Sequence, residues 1–364
     1  MLKICIIVGA RPNFFKVAPL VWAVRKEAAS GVPVTCQIVY TGKAGDGDIE
    51  ASLLADLELS NGEVDWLGVD AKRINELTGR VMEAFDQWLD THEVDVVIVV
   101  DDLASTMATA IVAKKRGLRL AHLVAGTRSF DITMPKEINR LVIDGLSDLL
   151  FTAGEGGSTV VSKGGGDLSK VYMAGNILMD TLRHFQNRLR RPALMDSAQL
   201  ADGAYILFTL NRKALTEDDQ RLAPMLDQLV EISQKVPVVA VLRNEAQSAV
   251  SRLLPGDHAK FLITGPLPYL EFGYMSAHAK GVVTDSGNVA EEATFNRVPC
   301  ITLNSYTEHI ETVKVGTNVL AGEDAGVLRK ALNNMVDGKW KDGRLPDRWD
   351  GRTAERIVKI LLEE

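Results

Sequence analysis

Two successive doubly wound α/β domains are what this sequence predicts, on three observations. Short β-branched runs alternate with longer amphipathic segments, the alternation starts afresh past the middle of the chain, and polar or Gly-containing motifs follow the carboxyl ends of the runs. At 364 residues the chain exceeds the size at which a single core keeps growing, so each half needs its own. With 46% hydrophobic and 24% charged residues it falls in the globular class and outside the disordered and fibrous ones.

The first series reads as strands at Leu2–Val8, Val34–Tyr40, Val94–Val100, Leu118–Val124 and Leu149–Thr152. Helices between them follow from apolar spacing at Phe14–Ala28, Ile74–Leu89 and Ser105–Arg116. The second series gives strands at Tyr205–Thr209, Val238–Val241, Phe261–Thr264, Gly281–Thr284, Cys300–Leu303 and Asn318–Leu320. Glu217–Gln234, Leu270–Ala279 and Val289–Asn296 are its helices. The Gly-rich stretch Gly164–Gly175 marks the join, giving a first domain at 1–172 and a second at 173–350. The last segment, 351–364, reads as a helix able to pack back on the first domain.

A net charge of −7 with both signs interspersed offers no basic footprint, so nucleic acid is not an expected partner. Cys5, Cys36 and Cys300 stand singly in apolar runs, as buried free thiols of a reducing compartment would. The N-terminal apolar run is too short to span a bilayer and leads into a Gly turn, so no membrane partner is expected and the cytoplasm is the expected location.

Four motifs carry chemistry. Gly9-Ala10-Arg11-Pro12-Asn13-Phe14-Phe15-Lys16 follows the first strand, and the cations Arg11 and Lys16 there suit a phosphate or carboxylate. Asp101 and Asp102 close the third strand; an Asp in that place also serves simply to cap the next helix. The run Arg128–Asp144 gathers Arg128, Asp131, Lys136, Glu137, Asn139 and Arg140 around a Pro-initiated helix start, where backbone N–H groups favour anions. Thr284-Asp285-Ser286-Gly287 opens another helix. Ser286 and Gly287 lie at its anion-favouring end, and Glu292 follows about a turn later, where a carboxylate accepts two hydroxyl donors. Gly154-Glu155-Gly156-Gly157 and Gly164-Gly165-Gly166 lack the dinucleotide spacing and read as loops. No second acidic cluster accompanies Asp101-Asp102, so no metal is assigned, and no cofactor.

On these residues the chain resembles the non-hydrolysing UDP-N-acetylglucosamine 2-epimerases over nearly its whole length. The matching strings are A-R-P-N-F-F-K to the family's T-R-P-E and a lysine, Pro135-Lys136-Glu137-Ile138-Asn139-Arg140 to P-E-E-I-N-R, Pro266–Phe272 to P-L-x-Y-L-x-F, and Thr284–Ala293 to T-D-S-G-G-I-Q-E-E-A. Thr307-Glu308 and Glu311 match T-E-R-P-E, with His309 and Ile310 in place of Arg and Pro. The departures fall on the acid–base positions. His122–Arg128 is similar to H-V-E-A-G-L-R but carries Val124 for the glutamate, Lys136 replaces the first acid of its pair, and Asn211 stands for the histidine of T-x-H-R-x-E-N; Asp102 occupies the family's aspartate and Asp101 its glycine.

The resemblance implies two Rossmann-like domains facing a cleft, the GT-B type. It implies UDP binding through Arg11, Lys16, Arg128, Asn139, Arg140, Arg212, Phe272 (against the uracil), Ser286, Gly287, Glu292 (on the ribose) and Glu308, with Asp102, Lys136, Glu137 and Asn211 around the reacting sugar. It also implies a homodimer. With three proton carriers replaced, the expected reaction cleaves the C1–O bond of a UDP-N-acetylhexosamine-like sugar, by transfer to a small acidic acceptor or by hydrolysis. A 2-epimerase with a re-placed acid–base set and a non-catalytic nucleotide-sugar binder stay open.

Overall fold

The computed structural model describes all residues except 47, 48, 50, 51, 164–166 and 257, so the loop reading of Gly164–Gly166 lies outside the described residues. Two compact units result, Met1–Arg183 with Asp347–Glu364, and His184–Pro346. The join therefore falls after Arg183 instead of at 172/173, and the second unit ends before Asp347 instead of at 350. The cause is local: Asn176–Arg183 and the C-terminal segment pack with the first sheet and leave the second.

The first unit holds a parallel seven-stranded sheet of β1 (Leu2–Val8), β2 (Val34–Tyr40), β3 (Val64–Trp66), β4 (Val96–Val100), β5 (Arg119–Ala125), β6 (Leu149–Thr152) and β7 (Val171–Met173). Their order is β3-β2-β1-β4-β5-β6-β7, so the winding reverses between β1 and β4. Helices cover both faces, and the β-branched strands are buried nearly throughout, as an all-parallel sheet requires. One core joins Cys5, Ile7, Val39, Phe85, Val97, Val99 and Ile143. The strands β3 and β7 escape a periodicity argument because three residues carry too little alternation to register.

The second unit repeats the plan with β8 (Ile206–Phe208), β9 (Val238–Val241), β10 (Phe261–Thr264), β11 (Gly281–Thr284), β12 (Cys300–Thr302) and β13 (Asn318–Leu320), ordered β10-β9-β8-β11-β12-β13. Ile206 and Phe208 feed the core on one face, Tyr205 and Leu207 the core on the other, the period-two alternation of a strand. Here the reversal lies between β8 and β11. Open sheets of this kind bind ligands beyond the carboxyl ends of the strands beside such a reversal. The motifs fall at those ends: Gly9–Lys16 after β1, Asp101-Asp102 after β4, Asn211-Arg212 just beyond β8 and Asp285-Ser286 after β11.

The C-terminal helix Thr353–Glu363 lies on the helix Arg11–Ala29 of the first unit, and Lys26 pairs with Glu355 at 2.7 Å. Its amino end is capped from a distance: the Asp180 carboxylate accepts from the amides of Thr353 at 3.0 Å and Ala354 at 2.8 Å. Buried Trp349 donates to the Ala153 carbonyl at 3.0 Å. Burial pushes the Asp180 carboxyl up to about 6 against the pull of those two N–H groups. Asp180→Ala leaves two buried amides without acceptors, each costing about 1–3 kcal/mol. The expected outcome in urea denaturation is a loss of about 3 kcal/mol, with Asp180→Asn, which keeps one acceptor, losing roughly half as much.

Candidate functional site

In the first unit the site is built by one helix, Pro135–Leu146, whose buried polar residues Glu137, Arg140 and Asp144 recur at helical spacing. Proline at its first turn needs no hydrogen bond there and fixes the helix entry. Arg140, buried, donates from Nε at 2.9 Å and from one terminal nitrogen at 2.5 Å to Asp102 Oδ2, and from the other at 3.1 Å to Glu137. Asn139 donates to the Asp102 carbonyl at 2.8 Å. The end of β4 is thus clamped to this helix by three donors. Lys136, exposed, stands 3.5 Å from the other oxygen of Asp102.

Glu137 takes four donors, three of them on one oxygen. It accepts the Ser129 amide at 2.8 Å and hydroxyl at 2.9 Å, the Phe130 amide at 3.3 Å and the Arg140 guanidinium. Burial alone would raise its carboxyl, but these donors hold it below the usual carboxylate range. Asp102 behaves alike: burial opposes ionisation, while Lys136, Arg140 and Lys16 outweigh it and keep the carboxylate ionised.

Next to them lies a second buried set. His122 pairs through Nδ1 with Asp144 at 2.5 Å and through Nε2 with the Asp101 carbonyl at 2.9 Å, while Arg128 meets the other Asp144 oxygen at 2.7 Å. Burial again works against the Asp144 charge, and His122 and Arg128 bring its carboxyl below the usual range. The Asp101 side chain takes Lys16 at 2.6 Å and Asn13 at 2.7 Å. Lys16, 5% exposed, is therefore an internal partner of Asp101 and not the open cation expected for a phosphate. Arg11 lies half-buried with its guanidinium 5.0 Å over the Phe15 ring.

Backbone geometry at this end is unusual. Asp101 and Val124 hold φ of 58° and 69°, and pairing of β5 with β6 slips between Leu123 and Ala125, a bulge that re-aims residue 124. For a β-branched residue that conformation is a true outlier. Gly126 fixes it in place, because a methyl group there would lie 2.4 Å from the Gly157 carbonyl oxygen. Gly9 similarly admits the Ser105 hydroxyl, 2.3 Å from where its Cβ would stand.

In the second unit the strand ends present Asp285, which accepts the Asn211 amide at 2.8 Å and the Arg212 amide at 2.6 Å. The Asn211 side chain itself is exposed. Arg212 pairs with Glu323, which also takes Arg221 at 3.1 Å. Ser286 caps the helix Gly287–Phe295. On that helix Glu292 is 8% exposed, and burial together with the charge of Glu291 pushes it up to about 8. Phe272 is half-buried against the core of Tyr205 and Met275, and Glu308 stands half-buried just ahead of the helix Ile310–Lys314.

Sequence reasoning gathered Arg128, Asp131, Lys136, Glu137, Asn139 and Arg140 at this helix start and read Asp102 at a strand end; the contacts above join Asp102, Lys136, Glu137, Asn139 and Arg140, Arg128 lies on Asp144, and Asp131 is exposed and turns back on Thr133. That reasoning missed His122, Asp144, Glu291 and Glu323. The spacing of Asp144 from Glu137 and Arg140 on one helix face was the available signal; Glu323 gave none.

The sequence profile of the UDP-N-acetylglucosamine 2-epimerase family matches residues 27–362. The chain is 31% identical over 371 residues to the UDP-N-acetylglucosamine 2-epimerase of Methanocaldococcus jannaschii, covering 99% of each. It is 32% identical over 366 residues to the UDP-2,3-diacetamido-2,3-dideoxy-D-glucuronate 2-epimerase of Pseudomonas aeruginosa, covering 100% of each. Among solved structures, that of the M. jannaschii UDP-GlcNAc 2-epimerase in complex with UDP-GlcNAc and UDP matches with a TM-score of 0.85 at 29% identity, over 100% of both chains. The UDP-GlcNAc 2-epimerase of Neisseria meningitidis, at 21% identity and a TM-score of 0.86, shares the fold. The two parallel-sheet α/β domains of this chain match these GT-B-like 2-epimerase structures. No helix among the described residues is long and apolar enough to cross a membrane.

Glu137→Ala strips the amides of Ser129 and Phe130 of their acceptor and removes one of the two carboxylates that meet the buried Arg140 guanidinium. The expected loss of stability in chemical denaturation is about 3 kcal/mol, near the value for breaking a buried ion pair, with Glu137→Gln intermediate.

Proposed function

Since the chain belongs to the UDP-N-acetylglucosamine 2-epimerase family, we propose that it takes a UDP-N-acetylhexosamine-like substrate and breaks the bond between C1 and the UDP oxygen without ordinary exchange of the C2 proton. The observation that carries this is the state of the acids in the first unit. Removing a C2 proton calls for bases whose pKa lies near the working pH, worth about 10²–10⁴ in rate. Glu137 already takes four donors and, like Asp102, is held below the usual carboxylate range, and Val124 has no titratable group.

Cleavage at C1 makes other demands, and the chain's residues meet them. Charge accumulates on the departing diphosphate, for which the amino end of the helix Gly287–Phe295 and Arg212 supply positive potential. The positive charge growing at C1 and the ring oxygen suits the fixed Asp102 carboxylate. Lys136, exposed beside it, is placed to hold a small acidic acceptor; without one, water takes its place and the outcome is hydrolysis.

End-to-end likeness to named 2-epimerases, together with the Lys136 ammonium 3.5 Å from Asp102, favours a second reading in which that pair replaces the family's acids and the chain epimerises at C2. Incubation with UDP-GlcNAc in deuterated water separates the two. Release of UDP with no deuterium at C2 is expected; a manno product labelled at C2 establishes the epimerase instead. Neither product, with a melting temperature raised by UDP, marks a binder.

Glu292 supplies a pH dependence. With its carboxyl at about 8 in the free protein it is mostly protonated at pH 7, whereas accepting two ribose hydroxyls requires the carboxylate. Binding therefore expels a proton, so the apparent Kd for UDP falls as pH rises toward 8 and levels off above it. Calorimetry at pH 7 in buffers of different ionisation enthalpy is expected to report release of about one proton, and none in Glu292→Gln.

A further inference from the structure

His122 lies where the winding of the first sheet brings two strand exits together. The pairing of β5 with β4 sets it opposite Val99, and its ring, 2% exposed, reaches the turn beyond β4. Nδ1 stands 2.5 Å from Asp144 Oδ1, and Nε2 stands 2.9 Å from the Asp101 carbonyl oxygen. The second Asp144 oxygen is taken by Arg128 at 2.7 Å and by the Gly126 amide at 3.2 Å. A carboxylate so held and a backbone carbonyl have only lone pairs to offer, so both ring nitrogens donate. A bond from such a ring is charge-assisted, about twice as strong as a neutral one.

What the ring holds is a peptide in an uncommon conformation. Asp101 has a φ of 58°, which a residue other than glycine keeps only where its surroundings over-determine it. Its amide donates to the Leu123 carbonyl at 3.3 Å, and its carboxylate takes Lys16 at 2.6 Å and Asn13 at 2.7 Å. Those contacts fix the amide and the side chain. The carbonyl, and with it the peptide leading to Asp102, is fixed by the imidazole. The Asp102 carbonyl is met by Asn139 at 2.8 Å and its carboxylate by Arg140, so Asp102 is gripped before, behind and at its tip.

We infer that His122 is a positioning residue, which through the Asp101 carbonyl aims the Asp102 carboxylate at the reacting sugar. This rests on the reading above that Asp102 faces C1 of a bound UDP-sugar. The ring moves no proton; it supplies the bond that keeps position 101 left-handed. Without that bond the backbone at 101 falls into the right-handed or extended conformations that an L side chain prefers, and the peptide before Asp102 turns with it. A reacting group displaced by about 1 Å costs about 10²-fold in rate. On the same reading the nucleotide is gripped by the second unit, so its affinity does not depend on this ring.

The test follows turnover of UDP-GlcNAc by the full chain, as UDP released or sugar epimerised, with the Kd for UDP measured beside it. His122→Asn is expected to lower kcat about a hundredfold and to leave the Kd for UDP within about twofold of the parent. Asp101→Gly supplies the discriminating background, because glycine takes the left-handed conformation at no steric cost. There His122→Asn is expected to lower kcat by about tenfold or less, and the loss of the Asp101 carboxylate from Lys16, common to both members of that pair, cancels. Equal losses in the two backgrounds, kcat in His122→Asn within about threefold of the parent, or a Kd for UDP weakened as much as kcat overturns the assignment. If His122→Asn fails to fold, Asp144→Asn, which withdraws the charge behind the ring, decides by the same pair of measurements. Absence of any turnover of UDP-GlcNAc by the parent chain overturns the reading of Asp102 at the sugar, and the assignment with it.

Discussion

The first unit depends on one buried guanidinium. Arg140 has no route to water, so its charge must be met inside, and Asp102 and Glu137 meet it from different segments of the chain. Because Asp102 lies in the turn after β4 and Glu137 gathers the amides of Ser129 and Phe130, this cation ties a strand's exit, a helix and the loop before that helix into one piece. One turn on, Asp144 repeats the device with Arg128 and His122, and His122 carries the constraint back to the Asp101 carbonyl. The shape of the loop after β5 is thus set by side chains of a single helix face.

Much of this was legible in advance. Five of the first unit's seven strands and the six of the second were placed by β-branched runs, and the polar residues crowded into Arg128–Asp144 announced a site because no helix interior needs them. Two things were not legible, for different physical reasons. Short edge strands such as Val64–Trp66 owe their existence to a neighbour's unpaired edge and not to their own pattern. The destination of each charge depends on which strand ends the winding brings together, so Lys16 read as an open cation from its place after β1, while the adjoining β4 delivers Asp101 to it.

Val124 shows the fold holding a side chain in a backbone geometry it does not favour. A left-handed β-branched residue costs about 1–3 kcal/mol, and the bulge that holds it there is locked by the contact of Gly126 with Gly157. The strained turn presents an isopropyl group, which packs on apolar surface and cannot move a proton; on the reading proposed above that suits a sugar ring whose C2 hydrogen stays in place.

The two units balance their charges differently. In the first, Lys16, Arg128 and Arg140 each lie within 4 Å of Asp101, Asp144 or Asp102, so these cations are met internally, while Lys136, 3.5 Å from Asp102, stays exposed. The second unit differs in one group. Glu292 is buried beside Glu291 with no cation of its own, and it avoids the penalty by holding a proton. With that carboxyl neutral, the positive helix end and Arg212 are opposed by fewer negative charges than the acid count of the segment suggests. On the UDP reading proposed above, the arriving nucleotide does two things in one place: its phosphates satisfy the helix end, and its ribose hydroxyls supply the donors that let Glu292 give up its proton. On that reading the residue that looks most misplaced in the free protein couples recognition of the sugar hydroxyls to recognition of the phosphates.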